Sequence, residues 1–353
     1  MSMHLEHVLI ELLNQPSNGA PGNGSPGTLW IVDENLSSEQ LLAVHPRAEL
    51  CAITNRFEVG AALAARGLQC SVSDFAFGAL PVQQFGRIVY RVSKERAVVH
   101  HCVNESFKLL TPGGTLHLLG HKDDGIKTNG KNAEQVFRST SRLKKHGTAY
   151  SVTLAKPAMQ NPQWLDSKDY PQLRECSVND WNFISKPGVF GWNKVDHGSE
   201  LLAQEAHKLL GERSDAGSAL DLGCGYGYLL LVTADLPFSR RVATDNNAAA
   251  VLAANANFQQ KNLPVTVTLD DCGAHLQERF DVILCNPPFH QGFSTSSALA
   301  EKFLLRIKKL LSANGVALVV VNQFIPLERV AAEYFSSITT LCHNDGFKVV
   351  ALG

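Results

Sequence analysis

The sequence predicts an α/β protein of two tandem Rossmann-like domains, the first a degenerate copy of the second. Three observations predict it. Helix-like and strand-like segments alternate along most of the chain, the pattern of a largely parallel sheet covered by helices. Two passages recur: Phe85-Gly-Arg-Ile-Val-Tyr90 resembles Phe280-Asp-Val-Ile-Leu-Cys285, and Lys108-Leu-Leu-Thr-Pro-Gly-Gly-Thr-Leu-His-Leu-Leu119 resembles Lys309-Leu-Leu-Ser-Ala-Asn-Gly-Val-Ala-Leu-Val-Val320. In each half a helix ends at a glycine turn and feeds a strand, which suggests a long-period duplication. Such units also occur in unrelated α/β domains, and that is the competing explanation. Third, the chemistry-bearing residues sit in the second half alone. The first half lacks a glycine-rich loop, and Arg91-Val-Ser-Lys94 falls where the second half has Asn286-Pro-Pro-Phe289.

Taken in order, a Pro/Gly/Asn/Ser-rich loop at about Pro16 to Gly27 precedes a short strand, Thr28 to Val32. Alternation continues to about Leu154, which defines a first domain over 1–155. Residues 156–177 are polar, Pro-containing and weakly periodic (Lys156-Pro157, Asn161-Pro162, Tyr170-Pro171), so a linker is expected there. A second α/β series fills 178–353.

With 353 residues, 44% of them apolar and 18% charged, two ordinary cores are within reach and global disorder is excluded. The net charge of −1 rules out wholesale attraction to nucleic acid, so any phosphate contact must be local. The one basic cluster is Lys122, Lys127, Lys131, Arg138, Arg142, Lys144 and Lys145, set against Asp123, Asp124 and Glu134. It reads as an RNA-phosphate surface or as a solvated face. Eight cysteines form no C-x-x-C pair, and the paired His100-His101 has no partner ligands in sequence. Neither a disulfide framework nor a metal site is expected. No basic segment followed by a long apolar stretch opens the chain, and no apolar run approaches the roughly 20 residues of a membrane span. A cytoplasmic, monomeric protein is the expectation.

The second half carries four strand-end motifs. Ala219-Leu-Asp-Leu-Gly-Cys-Gly-Tyr-Gly-Tyr228 is a strand that enters a G-x-G-x-G turn and then an apolar helix, Leu229 to Ala234. Glycines let backbone approach a ligand closely, and Asp221 can pair with an ammonium. The spacing is not the G-x-G-x-x-G dinucleotide fingerprint, and no Gly-Lys-Ser/Thr follows, so a P-loop is excluded. Arg241-Val-Ala-Thr-Asp245 ends in a carboxylate that can take both hydroxyls of a ribose. Val265 to Leu269 ends in Asp270-Asp271-Cys272, a polar group and an apolar one for the edge and face of an adenine. Phe280 to Cys285 runs into Asn286-Pro287-Pro288-Phe289, where two prolines stop the strand. There the asparagine carbonyl can accept from an amine while the phenyl ring stacks on its planar carrier.

This order resembles the class I S-adenosylmethionine-dependent methyltransferases. Two more passages narrow the resemblance: Lys186-Pro-Gly-Val-Phe-Gly191 with Val195-Asp-His-Gly-Ser199 upstream, and Gly346-Phe-Lys-Val349 downstream. The set looks like the bacterial ribosomal RNA guanine-N2-methyltransferases, in which an inactive methyltransferase-like copy precedes a catalytic one. The likeness is strong over about 185–350 and weaker over 1–155. Trp192-Asn-Lys194 departs from the small polar residues usual in the family, and Asp271 stands where some relatives carry Asn.

The resemblance implies that Asp221, Gly223 and Gly225 hold the methionine end of S-adenosylmethionine, with Cys224, Gly227, Asn246 and Asn286 also lining the donor site. Asp245 would take the ribose, and Asp271 and Cys272 the adenine; Phe190, Asp196, Gly198 and Ser199 would close over the donor. Asn286 and the Pro287 carbonyl would accept from guanine N2 while Phe289 stacks on the base. Pro288, His290 and the residues Lys127, Lys131, Arg138, Arg142, Lys144 and Lys145 would meet ribosomal RNA or a ribosomal subunit. No general base is assigned. Cys224, Cys272 and Cys285 read as apolar filling rather than nucleophiles, and His290 equally as an idle loop residue. Small-subunit RNA is favoured; large-subunit RNA, DNA adenine and protein glutamine stay open, as does an RNA-binding assembly factor with a vestigial donor site.

Overall fold

The computed structural model describes residues 3–16, 27–32, 34, 41, 43–80, 82–159, 161–179, 181–288 and 293–353, with side chains for all but 3, 4 and 293–298. Of the features expected from sequence, Phe289, His290 and most of the Pro16–Gly27 loop lie outside the described residues.

The chain divides into two compact units, Met1–Gln172 and Leu173–Gly353. The first runs α1 (Met3–Asn14), β1 (Gly27–Val32), β2 (Leu50–Thr54), α2 (Phe57–Ala65), β3 (Gln69–Val72), β4 (Phe85–Arg91), α3 (Arg96–Leu109), β5 (Leu110–His121), α4 (Ile126–Phe137), β6 (Arg142–His146) and β7 (Ala149–Ala155). The second opens with a hairpin of β8 (Arg174–Val178) and β9 (Trp181–Ser185), followed by α5 (His197–Leu210). Then come β10 (Gly217–Leu222), α6 (Tyr228–Val232), β11 (Phe238–Asp245), α7 (Ala248–Gln260), β12 (Thr266–Leu269) and β13 (Phe280–Cys285). It closes with α8 (Phe293–Leu310), β14 (Leu311–Asn322), α9 (Leu327–Ala331), β15 (Ile338–Asn344) and β16 (Phe347–Leu352).

Each unit holds a seven-stranded sheet, in the orders β3-β2-β1-β4-β5-β7-β6 and β12-β11-β10-β13-β14-β16-β15. The two orders are the same topology. Five strands pair in parallel, and one strand, β7 or β16, runs antiparallel between β5 and β6 or between β14 and β15. The expected tandem α/β fold is borne out.

Central parallel strands are covered on both faces, which is why they read as continuous apolar runs. Leu220 and Leu222 of β10 pack with α8 and α9, whereas Ala219 packs with α5, α6 and α7. The chain winds outward from β10 to β12 and then crosses back to β13. That reversal opens a crevice at the carboxyl ends of β10 and β13, where doubly wound sheets bind ligands.

The shared register shows what the first unit has lost. Phe85 and Phe280 open β4 and β13 opposite Leu110 and Leu311. Counted from there, Trp30 holds the position of Asp221: it pairs with Ala52 and Val89, as Asp221 pairs with Ala243 and Leu284. Thr54 likewise falls at the position of Asp245, and Asp74, two residues past β3, at that of Asp271.

The 156–177 segment is not a free linker. Leu165 and Tyr170 are buried in the first unit's core. The Asn104 amide clamps Leu165 through both backbone groups, at 2.9 and 3.0 Å. The Tyr170 hydroxyl donates to Asp74 Oδ1 at 2.5 Å, and His101 lies 5.0 Å from the Tyr170 ring. The segment's few apolar residues decide its packing despite its polar, Pro-containing composition. The boundary therefore falls at Gln172/Leu173, and the remainder of the expected linker forms β8.

Candidate active site

β10 ends in a tight turn. The Gly223 and Cys224 amides both donate to Thr244 O, at 2.8 and 3.0 Å, which locks the turn onto the end of β11. Gly223 (φ +86°) and Gly225 (φ +55°) take left-handed conformations, and a side chain on Gly225 would meet nothing within 4 Å. Backbone and open space together form a cradle that a ligand can enter closely. Gly227, expected at the donor, also has a packing role. It starts α6 at φ +91°, and a Cβ there would lie 2.6 Å from Phe258 Cζ. Gly227→Ala is therefore expected to destabilise the second unit by about 2–4 kcal/mol, left-handed strain plus overpacking. A lowered thermal midpoint in the free protein checks this.

Asp221 sits beneath the cradle at 0% exposure; no side chain hydrogen-bonds its carboxylate, and the Leu230 backbone amide is the group that favours its ionised form. Burial, reinforced by the neighbouring Asp245 charge, pushes its carboxyl up to about 8. A buried acid on a ligand crevice calls for a cation. Asp245, at the end of β11, accepts from the Gly225 amide (2.9 Å, Oδ2) and the Asn247 amide (2.9 Å, Oδ1). It thus ties the glycine turn to the loop that holds Asn246. Cys224 and Cys285 are fully buried, with thiols pushed well above their usual range by burial first and nearby charges second. Neither offers a thiolate nucleophile at neutral pH.

Asp271 is already engaged: Lys302 Nζ on α8 donates to both its oxygens, at 2.6 and 2.7 Å. Sequence reading missed Lys302, because a lysine midway along an amphipathic helix carries no local signal. Cys272 follows at φ +50°. Asp270 points elsewhere, to the ring (2.8 Å) and amide (2.8 Å) of His275.

Asn286 leaves β13 partly exposed, followed by buried Pro287 and exposed Pro288. Its Nδ2 donates to Asp196 Oδ2 at 2.7 Å and to Ser199 Oγ at 2.8 Å. Asp196 caps α5, accepting from the Ser199 amide at 3.0 Å. Gly198 is small because a Cβ there would be 3.2 Å from the Phe347 ring on β16. The structure thus gives Asp196, Gly198 and Ser199 a role at Asn286 and the helix start, where sequence reading placed them over the donor. Phe190, from the same block, is 59% exposed.

The Lys186–Ser199 block spans both halves of the site. Asn247 Nδ2 donates to Gly188 O at 2.8 Å, and the Tyr226 hydroxyl to Lys194 O at 3.3 Å, on the glycine-turn side. Asp196 reaches Asn286 on the other. In the first unit, Lys127, Lys131, Arg138, Arg142, Lys144 and Lys145 are all exposed, with Arg142, Lys144 and Lys145 on the edge strand β6. Among the described residues no cluster of acids, histidines and cysteines could hold a metal ion, and no helix is long and apolar enough to cross a membrane.

A doubly wound sheet with a glycine turn, a buried acid and an asparagine amide at its switch point is the architecture of the class I methyltransferase fold. The model of the methyltransferase small domain family matches residues 180–351 of the second unit. The chain is 27% identical over 292 residues to ribosomal RNA small subunit methyltransferase C of Shewanella loihica, covering 80% of this chain and 81% of that protein. It is 29% identical over 267 residues to the protein of the same name from Erwinia tasmaniensis, covering 74% of each. Its fold matches a T. thermophilus 16S rRNA N2 methyltransferase solved with AdoMet and guanosine, at TM-score 0.77 and 23% identity, over 98% of this chain and 91% of that one. The resemblance read from the sequence is borne out by these relatives.

Proposed function

We propose that the chain methylates the exocyclic N2 amine of a guanine in small-subunit ribosomal RNA, using S-adenosylmethionine. One observation carries the reading: Asp221, a fully buried acid that a bound cation would hold ionised, lies on the strand next to the one that ends in the oriented Asn286 amide. A cationic donor and a planar amine are what these two groups suit. The names of the relatives narrow the amine to ribosomal RNA guanine.

The residues present fit the donor. Asp221 would pair with its ammonium, and the Gly223 and Gly225 backbone would lie along its methionine part. Asp245 would take the ribose hydroxyls, and Asp271, already neutralised by Lys302, the adenine amino group. When bound, S-adenosylmethionine supplies a methyl group activated by a sulfonium. The Asn286 carbonyl and the Pro287 carbonyl would accept from the two N2 hydrogens. That draws the nitrogen lone pair, normally delocalised into the ring, out toward the methyl. The lone pair becomes the new N–C bond, the pair of the broken S–C bond stays on sulfur, and an N2 proton leaves to solvent. The methylated amine is acidic enough to lose it without a protein base. Orientation of this kind contributes up to about 7–11 kcal/mol in favourable cases.

The target base must leave its stack to reach the crevice. The exposed cations of α4 and β6 are suited to hold the surrounding phosphates. The first unit, with Trp30, Thr54 and the Tyr170-bound Asp74, would hold no donor and serve RNA binding. A cytoplasmic enzyme follows from a ribosomal substrate. The test is base analysis of ribosomal RNA from cells lacking the gene. One N2-methylguanosine should vanish from the small subunit and return on complementation. An unchanged small-subunit profile rejects the reading, and loss from the large subunit moves the target there.

A further inference from the structure

The Asn286 amide has only one orientation compatible with its neighbours. The chemistry of Asp196 dictates it: an ionised carboxylate accepts and never donates. Asp196 Oδ2 is 2.7 Å from the amide, accepts also from the Ser199 amide at 3.0 Å, and lies 3.3 Å from Ser199 Oγ. Only the NH2 end of Asn286 can face it. The carbonyl oxygen must then be the end turned away from Asp196 and Ser199. The carboxylate itself belongs where it stands, because it caps α5, whose N-terminal amides and dipole favour an anion.

We propose that Asp196, assisted by Ser199, is the positioning residue that fixes the carbonyl oxygen of Asn286 toward the target amine. This rests on the reading of Asn286 as the amine acceptor. The lock has two effects. It removes the flipped state, in which the amide would present N–H to an amine that is itself a donor. It also polarises the amide. A hydrogen bond from Nδ2 to an anion shifts electron density onto Oδ1, strengthening it as an acceptor as positive charge grows on the attacking nitrogen.

The arrangement joins three remote parts of the second unit. Asp196 precedes α5, Asn286 follows β13 ninety positions later, and Phe347 of β16 packs under Gly198 to seat the start of α5. The helix is held in turn by the face of β14 and β16, through Leu202, Ala206, Leu318, Val320 and Val349. The acceptor is therefore set by the sheet, not by the loop that carries it.

The experiment separates positioning from capping. Asparagine caps helices about as well as aspartate, so Asp196→Asn spares α5 but can offer its own NH2 to Asn286 and release the lock. With the wild-type protein and the amine it methylates, kcat for Asp196→Asn should fall on the order of 10²-fold, as for a small misplacement of a reacting group. KM for the donor and the thermal midpoint should stay put. The exchanged pair, Asp196→Asn with Asn286→Asp, again joins an NH2 to an acceptor and leaves oxygen facing the amine. It should recover part of the kcat that each single change loses. In parallel, the Asn286 side-chain amide signal, seen by selective 15N labelling, should be protected from solvent exchange in wild type and lose that protection in Asp196→Asn. Unchanged kcat, a loss confined to donor KM, or no recovery in the exchanged pair overturns the proposal. Because the readouts hold for any planar amine, methylation of an amine other than guanine N2 would fail the functional reading and leave this one measurable.

Discussion

Asn286→Ala is expected to lower kcat about 10²–10³-fold, the loss typical of removing one preorganised polar group from a reacting centre. Donor binding should be unchanged. The hydrogen bonds of its side-chain nitrogen go to Asp196 and Ser199, which lie outside the glycine turn. Its loss leaves the Asp196 carboxylate with its cap bonds to Ser199 intact, so α5 should survive. Single-turnover transfer together with calorimetry of donor binding separates the two quantities. Asn286→Asp should be nearly as poor as the alanine variant despite keeping two oxygens, because its charge would face Asp196 at a spacing now 2.7 Å. Normal turnover in Asn286→Ala would remove this residue from the mechanism.

The second large effect concerns Asp221 and has a defined sign. In the free protein its carboxyl titrates at about 8, raised by burial and by Asp245. Pairing with a cationic donor favours the ionised form, so the complex holds fewer protons than the free protein at neutral pH. Affinity for S-adenosylmethionine should therefore rise with pH between about 6 and 8, approaching tenfold per pH unit at its steepest. Calorimetry in buffers of different ionisation enthalpy should register the released proton, with one donor bound per chain. Asp221→Asn should flatten the pH dependence and weaken binding at pH ~8 by about 1.5–3 kcal/mol, the value of a charge-assisted hydrogen bond.

The same group makes an opposite prediction for stability. An acid raised by folding favours the fold at pH below its unfolded value, and that contribution is lost as pH rises through about 8. Asp221→Asn should therefore raise the melting point of the free protein at pH ~8, and the gain should shrink at acid pH. Lower stability of this variant at alkaline pH would show that Asp221 is satisfied within the protein. The site thus holds a buried acid whose ionised form a cationic ligand, rather than the fold, is placed to stabilise.

Much of the site was legible because it is written at strand ends. Asp221, Asp245, Asp271 and Asn286 each stand at or just past the carboxyl end of a strand-like run, and glycines and prolines mark the turns after Asp221 and Asn286. Lys302 was not legible, since it meets Asp271 from 31 residues away on a helix of unremarkable pattern. The packing of Gly227 against Phe258 was not legible, because sequence cannot tell a glycine that admits a ligand from one that admits a neighbouring ring. The 156–172 segment was misassigned because two buried side chains, Leu165 and Tyr170, outweighed its polar composition.

The sequence by itself determined the alternating α/β order, the two-domain repeat and the residue types that stand at the strand ends. These depend on local pattern: apolar runs, turn residues and their spacing. Only the tertiary structure decided which residues act together. Trp30 lies at the position of Asp221 through strand register, and Tyr170 finds Asp74 across 96 residues. Asp196 meets Asn286 across 90. Such pairs depend on crossovers and register, which bring distant carboxyl ends to one edge of a sheet and leave no trace in local periodicity.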